Sequence, residues 1–178
     1  MCIRARTDAV AGEFCNNEVV PGINRYLKTE FEKENFTMST EQNKAIARRF
    51  LEAFESNNQS AFNEVLLPDL VAHTHMGGPV NREAMLQGIT AFHSAFSDVH
   101  VTQEDLIAEG DRVATRSTTR AIHTGNFQGA PPTGKQVAFR TMSVERIRDG
   151  KIVERWVNTD FMALMQQLGL IPPPQSAR

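Results

Sequence analysis

Glu154, Trp156, Asn158 and Asp160 alternate near the end of the chain. On an extended strand such spacing sends side chains to one face. An aspartate beside a tryptophan in a hollow is a proton-transfer group. Its carboxyl has an ordinary pKa of about 3.9, and desolvation against aromatic walls raises it toward the value that removing a proton from carbon requires. The competing assignment for Asp160 is the N-cap of a helix starting at Phe161, a place Asp favours. His123, at a strand end beside a glycine-flanked loop, and His73, on the other rim, can each donate to a developing oxyanion or be satisfied by backbone. Phe127 lies in the same loop and, with Trp156, Asn158 and Glu154, is a candidate lining residue of the pocket.

Two other patterns carry less. Gly129-Ala130-Pro131-Pro132-Thr133-Gly134-Lys135-Gln136 falls one residue short of a phosphate-binding loop. Gln136 lacks the hydroxyl that would hold magnesium, and Pro131 and Pro132 lack amide protons to cradle a phosphate, so the segment reads as a hairpin loop. His73-Thr74-His75 would place two imidazoles on one strand face, with His123, Asp160 or Glu154 as further ligands, but the following Met76-Gly77-Gly78-Pro79 supplies no carboxylate. The expectation is no metal and no cofactor.

The elements that position these groups follow from periodicity. Ser39 and Gln42 form a capping-box pair ahead of Ile46, Phe50 and Phe54, which predicts a helix over 40–56. A shorter helix from Gln59 to Leu66 stops at Pro68, and Leu70 to Thr74 reads as a brief extended segment. Asn81 caps a third helix whose core stripe is Met85, Ile89, Phe92 and Phe96. From Asp98 onward the period becomes two. Strands are predicted at Val99–Ala108, Arg112–Thr124, Gln136–Arg148 and Lys151–Asn158, with tight turns at Gly110-Asp111 and Asp149-Gly150. Phe161–Leu168 is a closing helix ended by Gly169. In Arg112–Thr124, either Arg116 and Arg120 or Thr115, Ser117 and Thr119 can face inward. Helices followed by a curved antiparallel sheet make an α+β fold, a cone with an internal pocket closed by the N-terminal helices.

The chain has 178 residues, so one domain over 38–171 suffices, with 172–178 as a tail. Residues 1–37 show no sustained period and read as an extension, disordered or foreign to the native protein, since Met38 begins a segment like a fresh protein start. A net charge of −2 gives no attraction for nucleic acid or an anionic membrane. Cys2 and Cys15 lie outside the core segments and make no disulfide framework. With no apolar run of bilayer length and no secretion signal, the expected location is the cytoplasm.

Ile122-His123-Thr124-Gly125-Asn126-Phe127-Gln128-Gly129-Ala130-Pro131-Pro132-Thr133-Gly134-Lys135 resembles a motif of the SnoaL-like polyketide cyclases, or ester cyclases, of the ketosteroid-isomerase and nuclear-transport-factor cone fold. The resemblance continues through Ile147 to Trp156, Asp160 and Gln167-Leu168-Gly169, and spans about residues 44–171. It implies a cofactor-free and metal-free intramolecular aldol cyclase acting on a carbonyl-rich, largely apolar small molecule. Asp160 would serve as base and then acid, His73 and His123 would orient carbonyl oxygens, and Trp156 would wall the pocket. It also implies a homodimer paired through the sheet face. The best-characterised cyclases carry a further histidine near that aspartate; here none lies between Gln136 and Trp156, where Arg146 is the nearest basic candidate. The same fold also hosts non-catalytic ligand-binding and dimerisation modules.

Overall fold

The computed structural model describes residues 39–74 and 77–172, all within the unit Met38–Arg178. The expectations for the 1–37 extension, for His75 and for the tail beyond Pro172 lie outside the described residues.

Helix α1 (Thr40–Glu55) opens with the expected capping box, Ser39 Oγ accepting from Gln42 N–H while Gln42 Oε1 accepts from Ser39 N–H. Helix α2 (Gln59–Val65) is capped by Asn58 and runs directly into strand β1 (Leu66–His73). That strand is longer than the extended segment read from the sequence. Its register breaks between Leu66 and Val71, which accommodates Pro68, a residue that cannot donate to a regular ladder. Strand β2 (Val80–Asn81) precedes α3 (Arg82–Ala95), whose N-cap is Asn81 as expected. Long strands β3 (Phe96–Glu109), β4 (Arg112–His123), β5 (Gln136–Arg148) and β6 (Lys151–Thr159) follow, and α4 (Phe161–Leu168) closes the domain.

The strands form one curved, unclosed sheet in the order β2-β1-β6-β5-β4-β3. β1 runs parallel to β6, and the other neighbours are antiparallel. Between β5 and β6, Asp149 (φ 52°) and Gly150 (φ 75°) occupy the left-handed region that a two-residue hairpin turn demands. Register shifts at Ser97/His100 and Gln103/Asp105 in β3, with Asp98 at positive φ, bend the sheet's outer half.

One face of this sheet is covered. Residues Val113, Thr115, Ser117, Thr119, Ala121 and His123 of β4, and Val137, Phe139, Ser143, Glu145 and Ile147 of β5, are buried, and they share one phase. Their apolar members divide into two clusters. In the first, Ile46, Ala47 and Phe50 of α1, Phe62 and Val65 of α2 and Met85 and Ile89 of α3 pack on Val113, Ile147 and Ile152. In the second, Ala95 and Phe96 pack with Ala121, Val137, Phe139, and Leu164 and Leu168 of α4. Gly125 fixes the join between the end of α3 and the chain leaving β4: its N–H donates to Ala95 O, and an added Cβ would stand 2.2 Å from Ser94 O.

Candidate functional site

The two faces of the sheet hold different chemistry, and the sequence-predicted site residues are divided between them. On the open face, His73 of β1 pairs with Trp156 of β6, and their rings stack at 5.3 Å with 3° between planes. Glu154 joins them. His73 Nε2 lies 3.0 Å from Glu154 Oε1, and because a carboxylate only accepts, the imidazole donates. Arg146 Nη2 approaches Glu154 Oε2 at 3.2 Å, and Arg112 sits 5.7 Å from the Trp156 ring centroid. Arg146, the basic candidate of the sequence, is thus engaged with Glu154. Asn158 follows two positions on from Trp156 and, with His73, Trp156, Ile107, Met142 and Arg116, lines a hollow of about 740 Å³.

His123 and Phe127 belong to the covered side. His123 is fully buried rather than at a rim. Its Nδ1 lies 3.3 Å from the Thr133 N–H, which can only donate, so Nδ1 accepts and the ring proton resides on Nε2. That Nε2–H is sealed and has no acceptor among the described residues. The ring packs against Phe96 at 5.1 Å, and Phe127 bridges from Phe96 at 4.9 Å to Phe161 at 5.9 Å. His73 and His123 therefore lie on opposite faces and cannot orient two carbonyls of one ligand. By the same geometry they cannot share a metal. Among the described residues no group of three or more His, Cys, Asp or Glu side chains is placed to hold one.

The near-miss phosphate loop is the connection between β4 and β5. Gly134 N–H donates to His123 O, and Lys135 Nζ reaches Leu168 O at 3.1 Å, where a cation satisfies the open end of α4.

Asp160 follows Thr159, the last residue of β6, and caps α4. Its Oδ1 accepts from Ala163 N–H at 3.1 Å, its own N–H donates to Arg140 O, and Oδ2 lies 3.9 Å from Arg140 Nη2. The side chain is 38% exposed. Trp156, expected to desolvate it, is stacked on His73 four residues earlier in β6, so the aromatic residue next to Asp160 in the chain is Phe161.

The sequence leaves open whether Thr115, Ser117 and Thr119 face inward, and it gives no place in the interior to Ser143, Glu145 and Arg155, which are buried with them. Between the two apolar clusters, which share the partly buried Phe54, the covered face carries Thr115 opposite Ser143 and Ser117 opposite Thr141, itself opposite Thr159. At the edge of this band Glu145 faces Arg155: Nε donates to Oε1 at 3.0 Å, Thr115 Oγ1 approaches Oε2 at 3.4 Å, and the guanidinium carbon lies 4.1 Å from the Phe50 ring centroid. Burial pushes the Arg155 pKa below its ordinary value, and the Glu145 carboxylate opposes that fall. A signal was available in the sequence, since Glu145 is in phase with Phe139 and Ile147, and Arg155 with Val153.

A curved, unclosed sheet with helices packed on one face defines the class of small α+β cone folds. The chain belongs to the SnoaL-like polyketide cyclases, whose sequence profile matches residues 44–168. Over 131 residues it is 28% identical to the aklanonic acid methyl ester cyclase DauD of Streptomyces sp. strain C5, covering 70% of this chain and 80% of that one. Among solved structures it resembles IdmH, a candidate polyketide cyclase from Streptomyces antibioticus, with TM-score 0.67, 33% identity and coverage of 72% and 99% of the two chains. AclR, a candidate hydroxylase from Streptomyces galilaeus, aligns with TM-score 0.72, 30% identity and coverage of 78% and 87%.

Proposed function

We propose that the protein catalyses a cofactor-independent intramolecular aldol cyclisation of a carbonyl-rich, largely apolar polyketide-type molecule, with Asp160 as the acid-base group. The observation that carries the reading is the family match over residues 44–168, which includes an aspartate at the exit of the last strand. In the reaction, the Asp160 carboxylate removes a proton from a carbon between two carbonyls. The resulting enolate carbon bonds to a second carbonyl of the same molecule, and the proton returns from Asp160 to the new alkoxide. Atoms balance without an oxidant or reductant, so the product is an isomer of the substrate. Incubation with aklanonic acid methyl ester, the compound in the relatives' name, in buffer containing EDTA tests this directly. A cyclised product of unchanged mass is expected, and an untouched ester together with untouched related polyketones would overturn it.

A second reading, a ligand-binding module without turnover, is favoured by the half-exposed, helix-capping state of Asp160. The same assay separates the two. The proposal also includes pairing of two copies through the open sheet face, supported by the exposure there of Ile107 (68%) and Met142 (63%). Met142→Glu should then shift sedimentation from dimer to monomer, and a wild-type chain that sediments as a monomer would contradict it. No described helix is long and apolar enough to cross a membrane, and action in the cytoplasm is part of the same reading.

A further inference from the structure

The strand register builds a slot on the open face of the sheet. His73, Trp156, Val144, Ala114 and Ile107 are successive cross-strand partners on β1, β6, β5, β4 and β3, so they form one rung across the sheet. The rung is bulky at both ends and short in the middle. His73 and Trp156 stack at 5.3 Å with 3° between planes, close to the spacing of neighbouring strands, so the two rings stand upright and the stack runs across the strands. Its next position lies over β5 and then β4, where Val144 and Ala114 leave space, and Ile107, 68% exposed, closes the far end about 14 Å from Trp156. All five residues line the hollow of about 740 Å³. Ala is a poor strand residue, and an exposed rung built only for cross-strand packing would carry a β-branched or aromatic side chain at Ala114.

The indole that faces this space is held in place before anything binds. Arg146 engages Glu154 at 3.2 Å, Glu154 accepts from His73 Nε2 at 3.0 Å, and the His73 ring covers one face of Trp156. The other face looks over β5. Arg116 beside the slot is paired with Glu104 and Asp105, which leaves Arg112, 5.7 Å from the Trp156 ring centroid and two residues before Ala114, as the neighbouring cation with no ion pair among the described residues. We propose that the slot binds the flat, conjugated part of an aromatic ligand as the third member of the His73–Trp156 stack, with an acidic oxygen of the ligand turned toward Arg112. Stacking at a centroid distance of about 4.5–7 Å from the indole sets the ligand ring over Val144 and Ala114. The inference rests on the small-molecule reading above and adds where the flat part of the molecule is held. Arg140, which lies 3.9 Å from Asp160 Oδ2, is in phase with Met142 on β5, so the acid-base group borders the same face. The floor and end walls all come from one chain, and a second copy paired on this face closes the slot from above.

The test uses the full chain with anthracene-2-carboxylate as a flat anion and adamantane-1-carboxylate as a compact anion that cannot stack, both titrated by calorimetry. Trp156 is the single tryptophan of the chain, so its emission reports on the slot itself. Wild type should bind the anthracene saturably, with quenching of Trp156 that follows the same isotherm, and should bind the adamantane about tenfold more weakly or worse. Ala114→Leu fills the slot at an exposed strand position, and should weaken the anthracene about tenfold or more at an unchanged unfolding midpoint. Arg112→Gln should weaken the carboxylate about threefold and leave the neutral 2-(hydroxymethyl)anthracene within about twofold of wild type. Absence of saturable anthracene binding by wild type, equal affinity for the two carboxylates, or a folded Ala114→Leu protein that binds as wild type does would each overturn the slot. No binding by wild type together with altered sedimentation of Ala114→Leu would assign the hollow to a second copy instead. Wild-type turnover of aklanonic acid methyl ester and wild-type probe binding by Ala114→Leu, with Asp160→Asn inactive, would refute the slot and leave the cyclase reading standing. Probe binding by a wild-type protein that turns over no ester would do the reverse.

Discussion

The Glu145–Arg155 pair gives the sharpest stability prediction. Both side chains are almost wholly buried, 3% and 9% exposed, and the pair is closed by one Nε–Oε1 bond at 3.0 Å. Glu145→Ala would leave a guanidinium under the helices with its counter-ion gone and Thr115 without its contact. Removing one member of a buried pair costs about 3–5 kcal/mol because the other charge stays behind, uncompensated. Against a total stability of about 5–15 kcal/mol for a domain, that is a large share. Replacing both, as Glu145→Leu with Arg155→Met, removes both desolvation costs and fills the space with apolar side chains, so the double variant should lie within about 1 kcal/mol of wild type or above it. Urea unfolding of the wild type, both single variants and the double variant, at equal slope, provides the cycle. A Glu145→Ala cost below about 1 kcal/mol would show that Arg155 is not held by Glu145 in solution.

Gly125→Ala brings a Cβ to 2.2 Å from Ser94 O and 2.9 Å from Ala95 Cα, both backbone atoms. The join between α3 and the end of β4 must then open, and a loss of about 3 kcal/mol or more is expected in thermal or urea unfolding; an unchanged midpoint would refute the close approach. At Asp160, Ala should lower stability by about 1 kcal/mol through loss of the α4 cap, whereas Asn keeps an acceptor for Ala163 N–H and should leave stability nearly unchanged. Equal stability of the Asp160→Ala and wild-type proteins would contradict the cap.

Much of the architecture was legible because local chemistry fixed it. Ser39 with Gln42, Asn81, Asp160 and Gly169 mark helix ends that the structure reproduces, and Asp149-Gly150 could serve only as a tight turn. Pro68 predicts a stop and so a short β1, whereas the register break between Leu66 and Val71 lets the strand continue past it. The faces were harder. In β4, arginines alternate with hydroxyl residues, so both phases are polar and period two alone does not say which is buried. Val113 and Ala121 settle it, since they share a phase with Thr115, Ser117 and Thr119 and all five are buried. The candidate site divided for the same reason. Glu154, Trp156 and Asn158 do share a face, but it is the open one, and what lies beneath the helices is the alternate set with Arg155. A strand end predicts a rim position for His123; long-range packing of Phe96 and Phe127 over it, invisible in sequence, buries it.

The central claim is that Asp160 exchanges a proton with carbon, and the most direct measurement is the rate of cyclisation of aklanonic acid methyl ester by Asp160→Asn, with unfolding recorded on the same preparation. The amide preserves the cap on α4 and cannot act as a base, so the rate should fall by about 10²- to 10⁴-fold while the unfolding midpoint stays at the wild-type value. A folded Asp160→Asn protein that cyclises the ester at the wild-type rate would leave Asp160 as a helix cap alone and place the base elsewhere in the cone.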